Sequence, residues 1–125
     1  MAYASPGAPV RTPRGNEAEA FAQVTRAMKI AQAGGPSAHP KLVQALHQNG
    51  RLWTLLAASV ADPANALPKQ LRAQIFYLAE FTGKHTAEVL RGKADATELI
   101  DLNSIMMKAL RERDATDASK KVGAV

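Results

Sequence analysis

Proline and glycine cut this chain into four stretches, and that punctuation limits the fold more than any other feature. The breaks are Gly34-Gly35-Pro36, then Asp62-Pro63 followed by Pro68, then Gly92. Glycine accepts backbone angles that end a helix, and proline is tolerated only in a helix's first turn, so each break closes one helix and lets another begin. Between the breaks, apolar residues recur three and four positions apart, the spacing that gathers side chains on one helical face. No alternating run of strand length and no internal repeat is present.

The first helix is expected from Asn16, with Glu19 three residues on as its capping partner, to about Ala33. Its apolar stripe is Phe21, Val24, Met28 and Ala31. The second should open at Pro40 and run to about Ala61, with Leu42, Leu46, Asn49, Trp53, Leu56 and Val60 on one line. Gly50 lies in mid-helix, where glycine costs about 1 kcal/mol relative to alanine, so it is expected to mark a close helix crossing. Pro68 opens a third helix carrying Leu71, Ile75, Leu78, Thr82, His85 and Val89. The fourth runs from Thr97 to about Arg113 and carries Leu99, Asn103, Met106 and Leu110. Residues 1–15, rich in proline, glycine, alanine and serine, read as a disordered arm, and residues 114–125 as a polar, frayed tail. The expected architecture is therefore all-α: one compact bundle of four helices over residues 16–113.

A chain of 125 residues suffices for one domain, able to bury roughly two-thirds of its unfolded surface. Its content of 46% hydrophobic and 22% charged residues is that of a globular protein. With no cysteine, disulfides and thiolate metal sites are excluded, and a reducing cytoplasm suits the chain. Pro6, Pro9 and Pro13 interrupt the region where a secretory signal needs an apolar run, and no segment reaches membrane-spanning length, so neither export by that route nor a membrane partner is expected. The net charge of +5 is spread along the chain, with Lys120-Lys121 its one dense doublet, so no concentrated nucleic-acid footprint is visible.

Reactive constellations are missing. His39, His47 and His85 lack the four-residue spacing that turns two imidazoles toward one zinc ion. There is no glycine-rich phosphate loop and no nucleophile elbow, and Glu80, Glu88, Asp95 and Asp101 fall on or near solvated faces. The expectation is a protein without metal or cofactor that acts by binding and not by catalysis.

Two features remain. On the third helix Phe76, Tyr77 and Phe81 lie outside the apolar stripe, and on the fourth Ile100, Leu102, Ile105, Met106 and Met107 join Leu99 and Leu110 to make more apolar surface than one stripe needs. Such residues belong either to helices enclosed on several sides or to a groove for a partner's amphipathic helix. Polar residues also sit inside the stripes. Asn49, His85 and Asn103 are expected to hydrogen-bond one another or backbone carbonyls and so fix the helix register, or else to recognise a polar group of a partner. Trp53 is the expected core anchor, with an indole N–H in need of an acceptor.

Several segments, in this order and spacing, resemble the FlaF family of flagellar biosynthesis regulators. They are Glu17 to Ala27, Leu52-Trp53 after Asn49, Leu67-Pro68 with Leu71-Arg72-Ala73 and Ile75, His85, and Asp101 with Asn103, Met107 and Leu110. The resemblance implies a cytoplasmic protein that supports flagellin production and export by binding flagellin, acting alongside FlbT. Joined to the apolar surplus, it leads to the expectation of a flagellin-binding chaperone whose groove is formed by Phe76, Tyr77, Ile105, Met106 and Met107, with Arg72 at its rim. The alternatives are an adaptor that binds FlbT, or a protein that binds flagellin mRNA through Lys69, Arg72, Lys84 and the tail lysines.

Overall fold

A computed structural model describes the backbone of residues 13–123 and the side chains of residues 18–112. Four α-helices make up most of the described chain: α1 (Pro13–Ala33), α2 (His39–Ala61), α3 (Lys69–Leu90) and α4 (Thr97–Gly123), with a single 3-10 turn at Pro36–Ala38. Each break falls where proline and glycine placed it. The ends differ from expectation. Helix α1 already begins at Pro13, whose ring angle suits a first helical position, so Pro13, Arg14 and Gly15 leave the arm; residues 1–12 lie outside the described part. Helix α4 continues to Gly123 instead of fraying at Asp114, because no proline or glycine interrupts residues 98–122. Ala124 and Val125 lie outside the described residues.

The connections are built from local polar groups. Gly35, at φ 72°, turns the chain from α1 into the 3-10 turn, a conformation that a side chain would disfavour. Gly92, at φ 76°, caps α3 in the same left-handed way, with the Lys93 amide returning to the Glu88 carbonyl at 2.9 Å. Between α2 and α3, Asp62 and Asn65 accept hydrogen bonds from the amides of Ala64 and Leu67, both at 2.9 Å. Gln32 of α1 reaches the start of α4, where its Oε1 accepts from the Ala96 amide at 2.6 Å and its Nε2 donates to the Thr97 hydroxyl at 3.2 Å. That bond satisfies one of the donors that every helix start leaves open.

Helix α1 packs on α2 and α4, α2 packs on α3, and α3 and α4 meet only sparsely. The interior has two apolar clusters. One gathers Val24, Met28, Leu46, Val89, Leu99 and Ile100; the other gathers Phe21, Trp53, Leu56, Val60, Ile75, Met106 and Leu110. Leu46 shares the first cluster with Val89, and Val60 the second with Ile75, so α2 and α3 run antiparallel. In the second cluster Phe21 meets Trp53 edge to face, with ring centroids 5.4 Å apart.

Four polar residues are buried, one from each helix: Thr25, Asn49, Thr82 and Asn103. Trp53 Nε1 donates to Asn103 Oδ1 at 2.9 Å. An indole N–H can only donate, so this bond fixes the orientation of the Asn103 amide and leaves its NH2 free to donate twice. It does so, to Asn49 Oδ1 at 2.7 Å and to Thr25 Oγ1 at 3.1 Å. The Thr25 hydroxyl in turn donates to the Phe21 carbonyl. Asn49 and Asn103 thus bond each other, as their place in the stripes implied, while Thr25 joins them from a position the stripe reading passed over.

His85 does not belong to that network. It stands at the corner between α3 and α4, stacked on Phe81 with ring centroids 5.5 Å apart. Its Nε2 donates to the Asp95 carbonyl at 3.0 Å, and its Nδ1 lies 3.4 Å from the Glu98 carboxylate. His85 thus bonds a backbone carbonyl, one of the two expected partners, but it does so apart from the asparagines and half-buried, as a tie between two helices that otherwise touch little.

Candidate partner-binding groove

The six residues expected to form a partner site do not come together. Successive residues turn by about 100° around a helix, so the neighbours Phe76 and Tyr77 face different ways. Phe76, 43% exposed, leans toward α2, whereas Tyr77, 70% exposed, lies opposite the buried face of α3. Ile105, 66% exposed, lies two residues past Asn103, about 200° around the helix from the core line of Leu99, Asn103 and Leu110, on the solvent side of α4. Met106 is a core residue, 6% exposed and packed with Phe21 and Trp53, so it offers nothing to a partner. Met107 is half-buried beside α1, near Ala22 and Arg26. Arg72 is occupied within the chain: its Nε donates to the Val60 carbonyl at 2.8 Å and its Nη2 to the Asp62 carbonyl at 3.0 Å, which closes the C-terminal end of α2.

What the structure does contain is an apolar groove of about 730 Å³ along the outer side of α2 and α3. Seven large hydrophobic residues are exposed among the described ones, and four of them, Val43, Leu55, Phe76 and Leu90, line this groove. Exposed apolar residues scattered singly are ordinary, but their concentration along one groove makes it the candidate binding surface. Of the six expected site residues only Phe76 lines it. Val43, Leu55 and Leu90 each follow or precede a stripe residue, at Leu42, Leu56 and Val89, and those apolar doublets on α2 and α3 were the signal that could have revealed the groove.

Gly50 lies in the groove, and Gly83 faces it from α3. A Cβ added at either glycine would meet nothing within 4 Å. The expectation that Gly50 marks a close crossing between helices of this chain is therefore overturned: it borders open space. Thr54 and Thr86, also lining the groove, turn their hydroxyls back to the Gly50 and Thr82 carbonyls at 2.8 and 2.7 Å. Both walls thereby present methyl groups and stay apolar.

Among the described residues no three His, Asp or Glu side chains gather in a way that could hold a metal ion. None of the helices is long and apolar enough to cross a membrane, within the same residues.

The model of the family described as flagellar protein FlaF matches residues 1–110. The chain belongs to the FlaF family. The match ends at Leu110, the last core residue of α4, so FlaF membership covers all the residues that build the two apolar clusters and the groove. No curated protein and no solved structure matches the chain. What FlaF membership establishes is a flagellar role.

Proposed function

We propose that the chain supports flagellin synthesis and export as a cytoplasmic chaperone that holds a helical terminal segment of flagellin in the groove between α2 and α3. The observation that carries this reading is the concentration of exposed apolar residues there, on a FlaF-family chain. An amphipathic helix laid in an apolar groove is a common mode of recognition. A large apolar anchor buried on docking contributes about 1.5–3 kcal/mol. An export substrate whose assembly surfaces are helical and apolar needs such cover before it is secreted. The protein acts by binding, with no chemical step.

Co-purification with flagellin tests the proposal. Phe76→Asp and Leu90→Asp change exposed groove residues, so both variants should remain folded by circular dichroism and lose at least about tenfold in flagellin capture, the equivalent of about 1.4 kcal/mol. Tyr77→Asp, outside the groove, should capture flagellin as the wild type does. Folded groove variants that bind flagellin normally would remove this site. Capture of FlbT without flagellin would replace the chaperone reading with that of an adaptor.

A further inference from the structure

We infer that the groove's occupant is an amphipathic helix of about four turns that crosses over Gly50 and Gly83 and carries carboxylates along the flank that meets α2. This rests on the groove being the partner site, and it adds which helix fits there.

The glycines set the depth of approach. Glycine is unfavourable inside a helix, and neither Gly50 nor Gly83 is needed by the chain's own packing, since an added Cβ would meet nothing at either position. One sits on each wall of the same groove, where bare backbone lets another helix come close. Beneath them, Thr82 lines the floor, is 1% exposed, and its hydroxyl has no partner among the described residues. Small residues in the occupant at the crossing would fit this floor. Length follows from the walls: Val43 to Ala57 spans about 21 Å of helix at 1.5 Å per residue.

Charge sets the facing. Helix α2 contains Lys41, Arg51, His39 and His47 and no carboxylate between His39 and Ala61. His47 and Arg51 edge the groove, and neither makes a hydrogen bond or ion pair among the described residues. The opposite edge carries Glu80, also unpaired. The two flanks of a docked helix thus meet unlike surroundings: carboxylates suit the α2 side, and neutral or basic residues suit the α3 side.

Two synthetic four-turn helical peptides test this by fluorescence anisotropy at low salt. They share one apolar stripe with alanine at its centre and differ only in carrying glutamate or lysine along one flank. The glutamate peptide should bind at least about tenfold more tightly, about 1.4 kcal/mol. Arg51→Glu should reverse that order, whereas Lys108→Glu, on the solvent side of α4 and equal in charge change, should leave it. Gly50→Leu and Gly83→Leu should each weaken the glutamate peptide at least tenfold without lowering the melting temperature. Equal binding of both peptides, with sensitivity to the leucine variants, overturns the acidic flank and leaves the groove as the partner site. A Lys108→Glu effect as large as that of Arg51→Glu also overturns it, since net charge would then explain the preference. Failure of both peptides to bind, or indifference to both leucine variants, overturns the groove itself.

Discussion

Asn103 shows how one side chain can organise a bundle. It bonds Trp53, Asn49 and Thr25, and so links three other positions on α1 and α2 to α4. Replacing it with leucine keeps the volume but leaves a buried indole N–H without an acceptor and two oxygens without a donor. Each such loss costs about 1–3 kcal/mol, so Asn103→Leu should destabilise the fold by at least about 3 kcal/mol. Urea titration measures this, and a loss below about 1 kcal/mol would show the network to be dispensable. Asp95 acts at the start of α4. The amide and hydroxyl of Thr97, with a smaller contribution from the His85 ring, hold its carboxyl below the ordinary value. A lowered carboxyl contributes stability above its ordinary range and loses it as pH falls through the folded value. Asparagine caps a helix about as well but carries no charge. Thermal melts at descending acidic pH should therefore show the wild type losing an advantage over Asp95→Asn, and parallel curves would count against the assignment.

At the scale of single helices, the glycines of α2 and α3 make a direct prediction. If their own fold needed a close crossing, alanine would destabilise it. The space above both is open instead, so Gly50→Ala and Gly83→Ala should each stabilise the protein, by up to about 1 kcal/mol, as read from denaturant midpoints. A loss of stability in either would mean that the groove floor is packed in solution. Arg72 belongs to this scale too: a cation four residues into α3 closes the end of α2, which sequence spacing presented as a groove rim. Helix ends leave carbonyls open, and the nearest long donor takes them before any partner can.

For the molecule as a whole, the ring of packing contacts runs from α4 through α1 and α2 to α3 and is weakest between α3 and α4. The buried bonds among Thr25, Asn49, Trp53 and Asn103 hold α1, α2 and α4 in a single register, since sliding any of these helices would separate bonded groups in an apolar interior. A rigid bundle of this kind can present a preformed groove on its outer side, so docking need not open the core. That is why charged substitutions at Phe76 and Leu90 are expected to act on capture while leaving the fold intact.

Much of the fold could be read from the residues in order. Proline and glycine located the helix breaks, three- and four-residue spacing named the core from Phe21 to Leu110, and the buried asparagines stood out inside apolar lines, because each of these signals is local along the chain. The ends of α1 and α4 were less legible, since helical signal there is propensity alone, without a break to close it. The candidate binding face was legible only in part. A periodic stripe tells which side of a helix is apolar but not which neighbour covers it, so Met106 and Ile105 looked alike in sequence although one is enclosed and the other faces solvent. Which helices meet, that α2 and α3 leave a groove outside while α3 and α4 barely touch, and that two glycines border empty space are consequences of packing between segments far apart in the chain. Only the tertiary structure decides them.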